Sequence, residues 1–175
     1  MKIDVQTLKE GENSLELRES ASGLGLRDVP CEFKSDVLVN LTLHKRNDEI
    51  VLLGRASGVV SEECSRCLKR SDRKFSVEFE VFCDKIGARK RKPQPDEEAG
   101  ETYVAHHDGK VLDIGSVVRE AVMLSMPMKA LCREDCRGLC PVCGVNLNEQ
   151  TCGCAASKPD VRWNALAKLK KEGSK

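Results

Sequence analysis

Ten cysteines in 175 residues set the chemical question, because eight of them stand in closely spaced pairs. The stretch LCREDCRGLCPVCG (131–144) contains Cys132, Cys136, Cys140 and Cys143, and TCGC (151–154) adds Cys152 and Cys154. Upstream, CSRC supplies Cys64 and Cys67. Thiolates offered in pairs from tight turns are the donor pattern of tetrahedral zinc, and Pro141 and Gly144 provide turn chemistry around CPVCG. CPVCG thus points to metal on its own, whereas CSRC is a spacing shared with thiol redox proteins. The remaining two, Cys31 and Cys83, fall in the apolar phase of alternating segments and read as small core hydrophobes.

Eight thiols divide into two all-thiolate sites of four. Spacing favours Cys140, Cys143, Cys152 and Cys154 as a local site, since a short loop can close on itself. Cys64 and Cys67 would then join Cys132 and Cys136. One alternative is a single site drawn from residues 132–154, with Cys64 and Cys67 left as free thiols; the expected load is therefore one or two structural zinc ions. An iron–sulfur carrier or a thiol redox protein is a second use of the same cysteines.

The compartment argues against disulfides. MKIDVQTLKEGENSLELRES has no apolar core of a secretory signal, and no run approaches the ~18 apolar residues of a membrane span. A cytoplasmic, reduced chain is the expectation. Enzyme readings find little support: His44 lies in a strand pattern, His106 and His107 in an expected hairpin turn, and no Gly-rich phosphate loop, HExxH or GxSxG occurs. A small-molecule substrate is not expected.

The elements that must position these thiols are mostly strands. CEFKSDVLVNLTL alternates with Cys31, Phe33, Val37, Val39, Leu41 and Leu43 on one face, and KFSVEFEVFC with Phe75, Val77, Phe79, Val81 and Cys83. EIVLLGRASGVVS (49–61) is β-rich, with Gly54 and Gly58 suggesting a bulge or bend. MKIDVQTL and SLELRES are weaker strands, and TYVA and KVLDI an expected pair around HHDG. DIGSVVREAVMLSMPM spaces Ile114, Val117, Val118, Ala121, Val122 and Leu124 or Ser125 helically until Pro127 stops it. KPDVRWNALAKLKK predicts a terminal helix capped by Asp160, with Trp163, Leu166 and Leu169 as its stripe.

The expected class is α+β: an antiparallel, partly barrel-like sheet with a packed helix, then a small Cys-rich zinc-binding segment and a terminal helix. Residues 1–128 form the β-rich body, with 84–102 a mobile loop, and 129–175 the metal-binding segment and basic helix. Net charge is near zero, with 29 Lys and Arg against 28 Asp and Glu, so the chain is no polycation. KIGARKRK (85–92) and the residues from Lys158 are locally basic and could meet phosphate.

Taken together, CSRCL (64–68), LDIGSVVREAVMLSMPM (112–128), LCREDCRGLCPVCGVNLN, CGC and DVRWNALAKLK resemble the YceD family, the large ribosomal RNA subunit accumulation proteins. The eight paired cysteines match its cysteine-rich version, with Gly138, Leu139, Asn146, Leu147 and Asn148 around them. The resemblance implies a cytoplasmic, non-catalytic protein that supports synthesis, processing or stability of large-subunit rRNA. Its expected partner is the rRNA precursor or an rRNA-bound protein, with no membrane involved.

Overall fold

Period-two alternation of apolar side chains becomes an eight-stranded sheet. The computed structural model describes residues 1–27, 29–86 and 102–154. The elements are β1 (Lys2–Asp4), a 3₁₀ turn (Val5–Thr7), β2 (Gly11–Glu19), β3 (Glu32–Phe33), β4 (Val37–Arg46), β5 (Glu49–Glu63), β6 (Arg70–Lys85), β7 (Thr102–His107), β8 (Val111–Asp113) and α1 (Gly115–Ser125). The strand order is β1-β8-β7-β6-β5-β4-β2, with β3 on β5, and the sheet is curled. Two compact units divide the described residues: Met1–Ser65 with Lys69–Cys132, and Arg66–Leu68 with the residues from Arg133 on.

In the first unit, Val37, Val39, Leu41 and Leu43 of β4 turn inward, as their alternation predicts. They meet Leu52 and Ala56 of β5, Phe79 and Val81 of β6, and Val117, Val118, Ala121 and Val122 of α1 in one buried cluster. The helix covers the inner face of β5 and β6. It ends where Met126 turns extended before Pro127, as a residue preceding proline must tend to do.

Several expectations change. The sheet is mixed, because β7 runs parallel to β6, with Val81 opposite Tyr103 and Cys83 opposite Ala105. A parallel pair needs a crossover of about a dozen or more residues; the chain between Lys85 and Thr102 supplies that length, and the antiparallel expectation overlooked it. That segment was expected to be a loop over 84–102, yet β6 runs to Lys85 and β7 starts at Thr102. His106 and His107 end β7 instead of forming the turn. The terminal helix expected over 158–171, Trp163 included, lies outside the described residues.

The glycines of β5 are not bulges. The β5–β6 register is unbroken from Ile50↔Cys83 to Glu63↔Arg70. Gly54 lies opposite Phe79 and Gly58 opposite Phe75, and a Cβ at either position would run into the facing ring. The offset lies instead between β3 and β4: Phe33 faces Val60 whereas Leu38 faces Ser57, two residues out of step. Ser35 Oγ accepts the Val59 N–H at 3.1 Å across this gap. An even offset keeps side-chain parity, so Phe33 stays with the core, packed edge-to-face on Phe75 at 6.0 Å. Cys83 is core, as expected, and Cys31 is half-buried against it.

Candidate metal centre

The eight paired cysteines form two groups of four, Cys64, Cys67, Cys132 and Cys136, and Cys140, Cys143, Cys152 and Cys154. Within each group all four sulfurs lie within 4.8 Å of one another. Sulfurs around one zinc stand about 3.8 Å apart, given Zn–S bonds of about 2.3 Å in a tetrahedron. The donor set therefore suits a single soft cation in each group. None of the ten cysteines forms a disulfide.

The two CxxC turns are built alike. Cys64 N–H bonds Lys69 C=O at 3.0 Å, and Cys140 N–H bonds Val145 C=O at 2.8 Å, both five residues ahead. In each turn the residue after the second cysteine is left-handed: Leu68 at φ 59° and Gly144 at φ 73°. This conformation reverses the chain while keeping both sulfurs on one side. It is free for glycine and costly for leucine. The first turn sits at the β5–β6 connection, as the spacing of the flanking strands required.

Backbone dipoles polarise the local group. The N–H groups of Cys143 and Val142 point at the Cys140 sulfur, the latter at 3.5 Å, and with a bond from the Cys152 thiol pull Cys140 down to about 6. The Cys154 thiol is pushed up to about 12 by its hydrogen bond to Cys143 and the nearby thiolate charges. At Cys152 the Cys154 N–H favours the thiolate, but donation to Cys140 at 3.4 Å and neighbouring negative charge outweigh it and raise the pKa. One thiolate thus opposes the next. A dication held by these four sulfurs would remove that conflict and favour loss of the remaining protons.

Residues beyond the cysteines complete the second unit. Arg66, inside CSRC, donates through Nη1 to the carbonyl of Cys136 at 2.8 Å and accepts the Leu139 N–H at 3.1 Å. Gly138, at φ 75°, sits so close to Arg66 C=O that a Cβ would lie 3.1 Å from it. Asn148 donates from Nδ2 to Cys136 Sγ at 3.3 Å. Sequence reasoning missed Arg66, whose position between two cysteines was its only signal; Asn146 and Asn148 were visible only through the family resemblance.

These are two compact four-thiol groups, and comparison with known proteins supplies the class of the chain. The profile of the family "Large ribosomal RNA subunit accumulation protein YceD" matches residues 52–170, well over half of the chain. The chain belongs to the YceD family. It is similar to an uncharacterized protein of Mycobacterium tuberculosis, at 26% identity over 155 residues, covering 86% of this chain and 70% of that one. It is also similar to chloroplastic large ribosomal RNA subunit accumulation protein YCED homologs. The identity is 23% over 181 residues for Arabidopsis thaliana (89% of this chain, 56% of the relative) and 23% over 170 residues for Zea mays (81% and 58%). No solved structure matches significantly. The family's name implies a role in accumulation of large-subunit rRNA. Among the described residues no helix is long and apolar enough to cross a membrane.

Proposed function

We propose that the chain is a non-catalytic, cytoplasmic factor that supports accumulation of large-subunit rRNA, with two structural zinc ions held by Cys64, Cys67, Cys132 and Cys136 and by Cys140, Cys143, Cys152 and Cys154. The observation that carries this reading is the presence of two compact four-thiol groups in a member of the YceD family. Zinc here is a staple: its binding free energy becomes folding free energy for a segment whose described residues from Arg133 on add only Cys136 and Cys140 to the buried hydrophobic side chains. The partner is the rRNA precursor or a protein bound to it. Only six aromatic residues are present, and Phe33, Phe75 and Phe79 pack with the core, so contact through phosphate or a protein fits better than base stacking.

The functional test is genetic. Cells lacking the chain should show a fall in large-subunit relative to small-subunit rRNA, restored by the wild-type chain and not by a Cys140→Ser/Cys143→Ser variant. An unchanged ratio removes the function. Crosslinking in cells then separates the two partner classes: reads on large-subunit rRNA mean direct contact, and none above an untagged control means a protein partner. The metal is tested by elemental analysis, with two zinc ions per chain expected; about one supports the single-site version, and fewer than one ends the metal reading.

The alternative, a thiol redox or iron–sulfur carrier, uses the same residues. A multi-iron cluster places bridging sulfides between its ions and spreads its cysteines, whereas sulfurs all within 4.8 Å suit one ion. Colour discriminates: zinc protein is colourless, and a red or brown protein would favour iron.

A further inference from the structure

Asn148 lies in the loop between Cys143 and Cys152, which the local thiol group closes, yet its side chain serves a sulfur of the other group. Its Oδ1 accepts the Arg137 N–H at 2.8 Å and Arg133 Nη2 at 2.8 Å. Two donors on one atom fix which end of the amide is oxygen. The NH₂ end therefore faces Cys136, donating to Sγ at 3.3 Å and to Asn146 Oδ1 at 2.8 Å. Asn146 Oδ1 also accepts the Asn148 N–H at 3.0 Å, and Asn146 is bridged to Leu139. Leu147 N–H bonds Gly138 C=O at 2.9 Å and Cys140 N–H bonds Val145 C=O, so the loop is laced to the segment carrying both Cys136 and Cys140.

We propose that Asn148 is a positioning residue that couples the two thiol groups, so that metal loads the Cys140–Cys154 group first and the group containing Cys136 second. The proposal rests on the metal-binding reading above. Four thiolates on one dication carry a net charge of −2, and an N–H aimed at a ligating sulfur stabilises that charge. Hydrogen-bond partners of metal ligands typically govern about 10- to 100-fold in affinity. The local group needs only a short loop to close, so it forms independently. Once closed, that loop holds Asn148 against Cys136 and prepares the second group. By linkage, each occupied group raises the other's affinity by the same factor.

The test uses the full-length zinc-loaded protein, challenged with increasing chelator while thiols are alkylated and located by mass spectrometry. In the wild type, Cys64, Cys67, Cys132 and Cys136 should label at lower chelator concentration than Cys140, Cys143, Cys152 and Cys154. Asn148→Ala should move the first set about 10- to 100-fold toward lower chelator and the second set by less than about threefold. Asn148→Asp keeps the acceptor for Arg137 and Arg133 but removes the N–H donor, and should lose the first set equally. Wild-type behaviour in Asn148→Asp would reduce Asn148 to a loop pin, and an equal shift of both sets in either variant would mean general loosening; each overturns the coupling. Fewer than two zinc ions, or no protection in the wild type, would instead sink the metal reading itself.

Discussion

At the scale of single residues, two left-handed positions carry opposite predictions. Gly144 pays no steric cost at φ 73°, so Gly144→Ala should destabilise the zinc-loaded protein by about 1–2 kcal/mol in urea titration. Leu68 adopts φ 59° although its side chain is exposed, and Leu68→Asn, a residue tolerant of that region, should raise stability by several tenths of a kcal/mol to about 1. Thiol reactivity divides the cysteines further. Cys140 is drawn down to about 6 by the backbone donors of its turn. Its lowered pKa means that the thiolate's stabilising contribution is present above the ordinary thiol pKa and is lost as pH falls through about 6. Cys83, pushed up to about 12 by burial, should stay unlabelled until the protein unfolds.

At the scale of elements, the β5–β6 pair depends on glycine opposite phenylalanine. Gly54→Ala would drive a methyl into the Phe79 ring, an overpacking that costs about 1–3 kcal/mol. Combining it with Phe79→Leu should recover part of that loss, and a double-mutant cycle in urea should return a coupling above about 0.5 kcal/mol. Additive losses would mean that the ring and the glycine do not share space. The two-residue offset between β3 and β4 belongs to the same scale. Ser35 spans it with one hydrogen bond, which an alternation pattern alone cannot reveal, because parity is preserved on both sides.

For the whole molecule, the sheet and the Cys-rich segment draw on different forces. None of the eight paired cysteines belongs to the hydrophobic cluster that unites the strands and α1. Chelation should therefore strip hydrogen-exchange protection from residues 133–154 while β4, β5 and β6 keep theirs. Simultaneous loss in both would show that the sheet needs the metal. The two thiol groups also differ in the chain they close. The span from Cys67 to Cys132 is about eightfold longer than that from Cys143 to Cys152, roughly three doublings, or about 2 kcal/mol of extra closure entropy.

Local periodicity was enough to read the inward faces of β4 and β6, the span of α1 up to Pro127 and the division of ten cysteines into eight paired and two packed ones. These depend on neighbours within a few residues, where side-chain alternation, helical spacing and turn chemistry act directly. Spacing also singled out the two four-thiol sets. It could not exclude a single site, because nothing local says whether Cys64 and Cys67 meet Cys132 and Cys136. The parallel pairing of β7 on β6, the seating of Phe79 over Gly54, the bond from Arg66 to Cys136 and the reach of Asn148 to the same sulfur were decided only by tertiary structure. Each joins residues whose chain separation carries no periodic signal, and each is selected by packing volume and by the need to satisfy buried donors and acceptors.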